Sequence, residues 1–140
     1  MPLHAIVRYP RPDIDRTTDE IHRVMSELAV DAAKTFVFAT TDIIPVWTGG
    51  TKASFLKLAS LAKISLSIQP IAPSRVALGI DTSTGEVFAE RGKLYGFNWT
   101  SDLYYIGYVD ARFSFVERGV LAVRSITPTL PPPIILSSSG

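Results

Sequence analysis

Pro45 and the glycine pair behind it constrain this chain more than any other feature. The stretch Ile43-Ile44-Pro45-Val46-Trp47-Thr48-Gly49-Gly50-Thr51-Lys52-Ala53-Ser54-Phe55 closes one amphipathic helix, turns, and opens another. A helix cannot run through Pro45, whose ring clashes with the preceding turn and which offers no N–H. Ile44, just before it, is pushed towards an extended conformation. Gly49 and Gly50 supply a turn in which both residues can take positive φ. The hydroxyl of Thr48 or Thr51 can accept a bond from an otherwise unpaired N–H and so cap the helix that follows.

Upstream, Thr17 and Glu20 stand at capping-box spacing, and Asp19 and Glu20 put negative charge at the positive end of a helix dipole. Ile21, Val24, Met25, Leu28, Ala32, Phe36 and Ala39 then recur at helical spacing, a stripe about five turns long. Arg23 with Glu27 and Asp31 with Lys34 lie on the opposite side, at spacings that allow weak ion pairing. Val30, Val37 and Phe38 fall off the stripe and form a second apolar patch, which fits either fuller burial of the helix or, the preferred reading, contact with another subunit. Downstream, Phe55, Leu58, Ala59 and Ala62 repeat the helical pattern, with Lys52, Lys57 and Lys63 as a solvated basic face.

After Lys63 the period changes to two. Ile64, Leu66 and Ile68 alternate with polar residues, a strand signature ended by Pro70. Val76, Leu78 and Ile80 alternate again before a turn over Asp81–Gly85, and Val87-Phe88-Ala89 reads as a returning strand with Arg91-Gly92-Lys93 as the next turn. Tyr95, Phe97 and Trp99 share one face of a strand. Tyr104, Ile106 and Tyr108 share a face of the next, so a hairpin reversing near Asn98–Asp102 is predicted. Short turns between successive strands imply antiparallel pairing. Residues 111–126 read as a terminal helix on Phe115, Val116, Val120 and Val123, with Gly119 a weak point in it.

Both ends differ in composition from this middle. Residues 1–16 hold Pro2, Pro10 and Pro12 around Ala5-Ile6-Val7, which predicts an extended arm with at most one short strand, or a frayed terminus. Residues 127–140 run Thr127-Pro128-Thr129-Leu130-Pro131-Pro132-Pro133-Ile134-Ile135-Leu136 into a Ser-Gly end, a second arm of polyproline character. Such a tail either waves free or lies along a neighbouring subunit, and Ile134, Ile135 and Leu136 keep the second option open, because an exposed apolar triplet gains from being covered. The fold expected is α+β: a long N-terminal helix, a second short helix, a curved antiparallel sheet of about four strands, a short C-terminal helix, and extended arms at both ends of a single domain over 17–126.

Chemistry is hard to find. With 140 residues and no cysteine, disulfides and thiol catalysis are excluded, and a net charge of +1 gives no electrostatic reason to expect binding to nucleic acid or an anionic membrane. No apolar run approaches the roughly 20 residues needed to cross a bilayer, and the N-terminus does not read as a signal peptide. A protein made in, and soluble in, the cytoplasm is expected. His4 and His22 stand at no metal-ligand spacing, and His22, beside the apolar stripe, reads as a packing or surface residue. Gly49-Gly50-Thr51-Lys52 looks faintly like a phosphate loop but follows a helix and lacks the upstream glycine. Asp81, Glu86, Glu90, Asp102, Asp110 and Glu117 are scattered among turns, where solvation is their usual role. No cofactor, metal or catalytic residue is expected. The aromatics Tyr95, Phe97, Trp99, Tyr104, Tyr105 and Tyr108 could stack unpaired bases, yet few basic residues interleave them, so core or interface packing is the better reading.

One stretch carries a resemblance. Pro45-Val46-Trp47-Thr48-Gly49-Gly50-Thr51-Lys52-Ala53-Ser54 resembles the Pro-Val-Asp-Thr-Gly-x-Leu-(Arg/Lys)-x-Ser block of tail-completion, or neck, proteins of long-tailed bacteriophages. Pro45, Val46, Thr48, Gly49, Lys52 and Ser54 match; Trp47 replaces the aspartate and Thr51 the leucine. In that family a long helix precedes the block, a short helix follows it and an antiparallel sheet comes after, the order read here over residues 17–124. Glu117-Arg118-Gly119 echoes a later Glu-x-Gly element, whereas the family's Pro-rich aromatic ending has no clear counterpart. The resemblance implies a non-enzymatic structural protein of the virion. It would form a hexameric or dodecameric ring at the head–tail junction, touching the connector and the tail-terminator or tail-tube proteins, with DNA passing through the ring but no sequence-specific binding. The alternative is a small binding module for nucleic acid or another ligand, using the lysines of the second helix and the hairpin aromatics.

Overall fold

The computed structural model describes residues 3–9, 19–44, 49–66, 73–91, 94–126 and 133–137. Along the chain these form β1 (Leu3–Tyr9), α1 (Asp19–Thr41), α2 (Gly50–Ala53), α3 (Leu56–Leu61), α4 (Pro73–Asp81), β2 (Ser83–Glu90), β3 (Leu94–Ser101), α5 (Ile106–Phe113), α6 (Phe115–Ser125) and β4 (Ile134–Ser137). The four strands make one antiparallel sheet in the order β2-β3-β1-β4. The α+β class, the long N-terminal helix and the C-terminal helix are as the sequence predicts.

The sheet has one covered face. Leu3, Ala5, Val7 and Tyr9 of β1 and Tyr95, Phe97 and Trp99 of β3 are buried on it, with Val7 opposite Phe97 and Ala5 opposite Trp99. Alternation puts Ile6, Arg8, Asn98, Glu86 and Phe88 on the other face, where burial is at most partial. Helix α1 lies on the covered face through Ala29, Ala32, Ala33, Phe36 and Val37, all fully buried. Phe36 is the hub, with ring centroids 5.2 Å from Phe97, 5.9 Å from Trp99 and 6.0 Å from Phe55. Burying a side chain of this size is worth about 1.5–3 kcal/mol each, so these aromatics dominate the cohesion between the helices and the sheet. Helix α6 packs beside α1, and Gly119 is what lets it come close: a Cβ there would lie 2.6 Å from both the Phe36 ring and the Thr40 methyl.

Several expectations are corrected. Residues 3–9 are no arm. β1 is an interior strand, because four of its side chains alternate into the core and both its edges find partners. Val76, Leu78 and Ile80 belong to helix α4, not to a strand; Pro73 suits the first helical position, and three alternating residues are too few to fix a period. Tyr104 and Tyr105 form a turn and Tyr108 lies on α5, so the predicted hairpin partner of β3 is a helix, and β3 pairs instead with β1 and β2. The second helix is two short ones, broken at Ser54-Phe55. Ile64–Leu66 is irregular, while Ser67–Gln69 lie outside the described residues, as do residues 10–18. The terminal helix splits into α5 and α6 at Ser114, which takes a left-handed conformation (φ 53°). Ile134–Ser137, expected in an extended arm, form the edge strand β4 against this chain's own β1.

Candidate functional site

The stretch that carries the resemblance enters the described structure at Gly49; Pro45, Val46, Trp47 and Thr48 lie outside it. Gly49 stands at the N-cap of α2 with φ 83°, in the left-handed region where a side chain is strained. The chain then makes one turn of helix, wholly buried except at Lys52. Gly50 lies against the Arg75 carbonyl of α4 and the Tyr105 hydroxyl, and Gly79 of α4 faces the Gly50 carbonyl so closely that no side chain fits between them. The paired glycines are therefore a helix–helix contact, built for near approach of two backbones.

Ser54 ends this turn in the core. Its hydroxyl donates to the Thr51 carbonyl at 2.6 Å, and its own carbonyl accepts from Trp99 Nε1 at 2.9 Å. The Trp99 indole stacks on Phe55, with centroids 4.5 Å apart and planes 4° from parallel, and Phe115 meets both rings edge-on. Gly49 to Phe55 is thus a pivot: a left-handed entrance, a tight turn against α4, and an exit pinned to the middle strand pair. The likeness to a phosphate loop goes no further, since α2 is a single turn of four residues.

The other candidates lie elsewhere. Ile134 and Leu136 are exposed on β4, and Ile135 turns inward opposite Val7. In the strand order β4 is two strands away from β3 and its Trp99, so the structure does not bring the pivot and the C-terminal apolar triplet together. Of the aromatics once grouped on a hairpin, Tyr95, Phe97 and Trp99 are fully buried, while Tyr104 and Tyr108 are exposed. His22 accepts from or donates to the Tyr95 hydroxyl through Nδ1 at 2.9 Å, a packing role.

Sequence reasoning passed over Arg75. Its guanidinium donates to the Tyr104 hydroxyl and sits 5.4 Å and 5.9 Å from the Tyr104 and Tyr105 ring centroids. Reading α4 as a strand hid this group; the helix-compatible Pro73 was the available signal. Asp110 was also undervalued. It is buried on α5, its carboxylate accepts the Val116 N–H at 3.1 Å at the start of α6, and burial above all raises its pKa, the Val116 bond opposing and Glu117 adding. It caps the next helix. Among the described residues no group of histidines and carboxylates could hold a metal ion, and no helix is long and apolar enough to cross a membrane. Set against models of protein families, curated proteins and solved structures, the chain matches none of them.

Proposed function

We propose that this protein is a structural component of a phage virion, a neck protein that assembles with copies of itself into a ring joining the head connector to the end of the tail. The observation that carries this reading is the position and use of the Gly49–Ser54 half of the resembling block. It comes next after the long helix in the element order, opens the short helices, and is held under the sheet by Trp99, a use of these residues that supports a structural reading. A ring needs two different surfaces per subunit. Two are on offer: the open sheet face with Ile134 and Leu136 at its edge, and the outer side of the helices with Val24, Phe38 and Leu121 exposed. The binding-module alternative loses its main ligand platform, because three of its aromatics are core residues and Lys57 is engaged with the backbone.

Quantitative mass spectrometry of gradient-purified phage particles tests the proposal. A few copies per particle, far below the major capsid protein, are expected. Abundance in infected cells together with absence from particles would overturn it.

A further inference from the structure

Strand β1 sits in the sheet's interior only because β4 covers it. Without β4, the outer edge of β1 from Ala5 to Arg8 would present a row of unpaired N–H and C=O groups, so this slot requires an occupant. The occupant it has is held lightly. β4 is four residues long, packs chiefly on β1 among the described residues, and turns Ile135 towards the core while Ile134 and Leu136 stay 59% and 54% exposed. A second copy of the chain offers an identical slot, with the same backbone register and the same Val7 opposite Ile135.

The sequence that delivers β4 suits a longer journey. Between Ile126 and Ile134 the chain reads Thr-Pro-Thr-Leu-Pro-Pro-Pro, four prolines in seven residues. Proline fixes φ and favours the extended polyproline form, which advances about 3.1 Å per residue, so seven residues of such a composition have a reach of about 20 Å. Exchanging an identical terminal strand through such a connection loses no contact made in the single chain, and it adds whatever the two subunits then share.

We propose that β4 is exchanged: Ile134–Ser137 of one chain pairs with β1 of the next, along Ala5–Arg8, in the register seen within one chain. The donated strand and the receiving edge are different surfaces, so repetition of the exchange runs head to tail. Its closure into a ring rests on the neck-protein reading; the exchange itself does not.

The chain has no cysteine of its own, which makes a direct test possible. Arg8 and Ile134 are cross-strand partners on the open face, both exposed, where a cysteine disturbs no core contact. Arg8→Cys and Ile134→Cys chains, one isotopically heavy, are unfolded together, refolded at high concentration and oxidised. A disulfide joining a heavy to a light chain is expected, and the double variant should give covalent multimers on a non-reducing gel. If the double variant yields only a bond within each chain and the mixture yields no joined pair, the exchange is overturned. Absence of any disulfide in either sample would take β4 off every β1 and overturn it equally. Neither result bears on the copy number in particles, so failure of the exchange and failure of the neck reading are told apart.

Discussion

Trp99 does two jobs at once: its indole N–H reaches the Ser54 carbonyl and its ring stacks on Phe55. Trp99→Phe keeps a ring there but leaves a buried carbonyl without its donor and a gap beside Phe36. A loss of about 2–4 kcal/mol is expected from the unpaired acceptor and the cavity together, read as a lower urea midpoint at unchanged slope. A second buried residue gives a pH signature. The Tyr9 hydroxyl is buried with no hydrogen-bond partner among the described residues, and burial, with the Asp31 carboxylate adding to it, pushes its pKa from 10.0 to about 12. The unfolded chain releases this proton near pH 10 and the folded chain near pH 12, so the fold has the full benefit below pH 10 and loses it progressively up to pH 12. At about 1.4 kcal/mol per pKa unit the loss is of order 2–3 kcal/mol. Tyr9→Phe should remove that part of the alkaline decline and leave stability at pH 7 unchanged or slightly higher. An equal decline in both proteins would contradict the assignment.

At the scale of elements, the contact of α1 with α6 turns on Gly119. Alanine there gains about 1 kcal/mol of helix propensity but drives a methyl into Phe36 and Thr40, and overpacking of this kind costs about 1–3 kcal/mol. Because Phe36 is wedged among Phe55, Phe97 and Trp99, it has little room to move, and net destabilisation of Gly119→Ala is the expected sign. Thermal unfolding by circular dichroism would show it; a raised midpoint would mean that the helices separate easily. Strand β1 gives a sharper contrast. Removing residues 1–9 takes out a strand that pairs on both sides and fills the core with Leu3, Ala5, Val7 and Tyr9, so no cooperative unfolding transition should survive. A frayed arm could be cut away without effect.

For the whole molecule, the two ends of the chain play unequal parts. Among the described residues, deleting 127–140 removes one edge strand and one apolar side chain packed on the core, Ile135, so the truncated protein should still fold and give a cooperative melt. If copies assemble through β4 as proposed, the same truncation lowers incorporation into particles and infectivity at least tenfold, by the arithmetic that about 1.4 kcal/mol of lost association is a factor of ten. Normal particles from the truncated protein would remove β4 from assembly. The ion pairs Arg23–Glu27 and Arg91–Asp19 are exposed, and such pairs are worth at most about 1 kcal/mol each.

Local periodicity was enough to specify α1, the shared face of Tyr95, Phe97 and Trp99, and the apolar side of α6, because each repeats one period over several residues. The break after α1 was legible for a similar reason, since proline and glycine act on the backbone wherever they stand. Short stretches were not. Val76–Ile80 and Tyr104–Tyr108 satisfy period two and, nearly as well, the spacing of a helical face; the first packs as helix α4 against α2, and the second is a turn at Tyr104-Tyr105 that opens α5. The roles of the two ends were decided furthest from the sequence. That β1 fills the middle of the sheet depends on β3, nearly ninety positions away, and on β4, farther still. Pairing across such distances is set by which backbone edge is left open once the core has closed, and no window of sequence contains that edge.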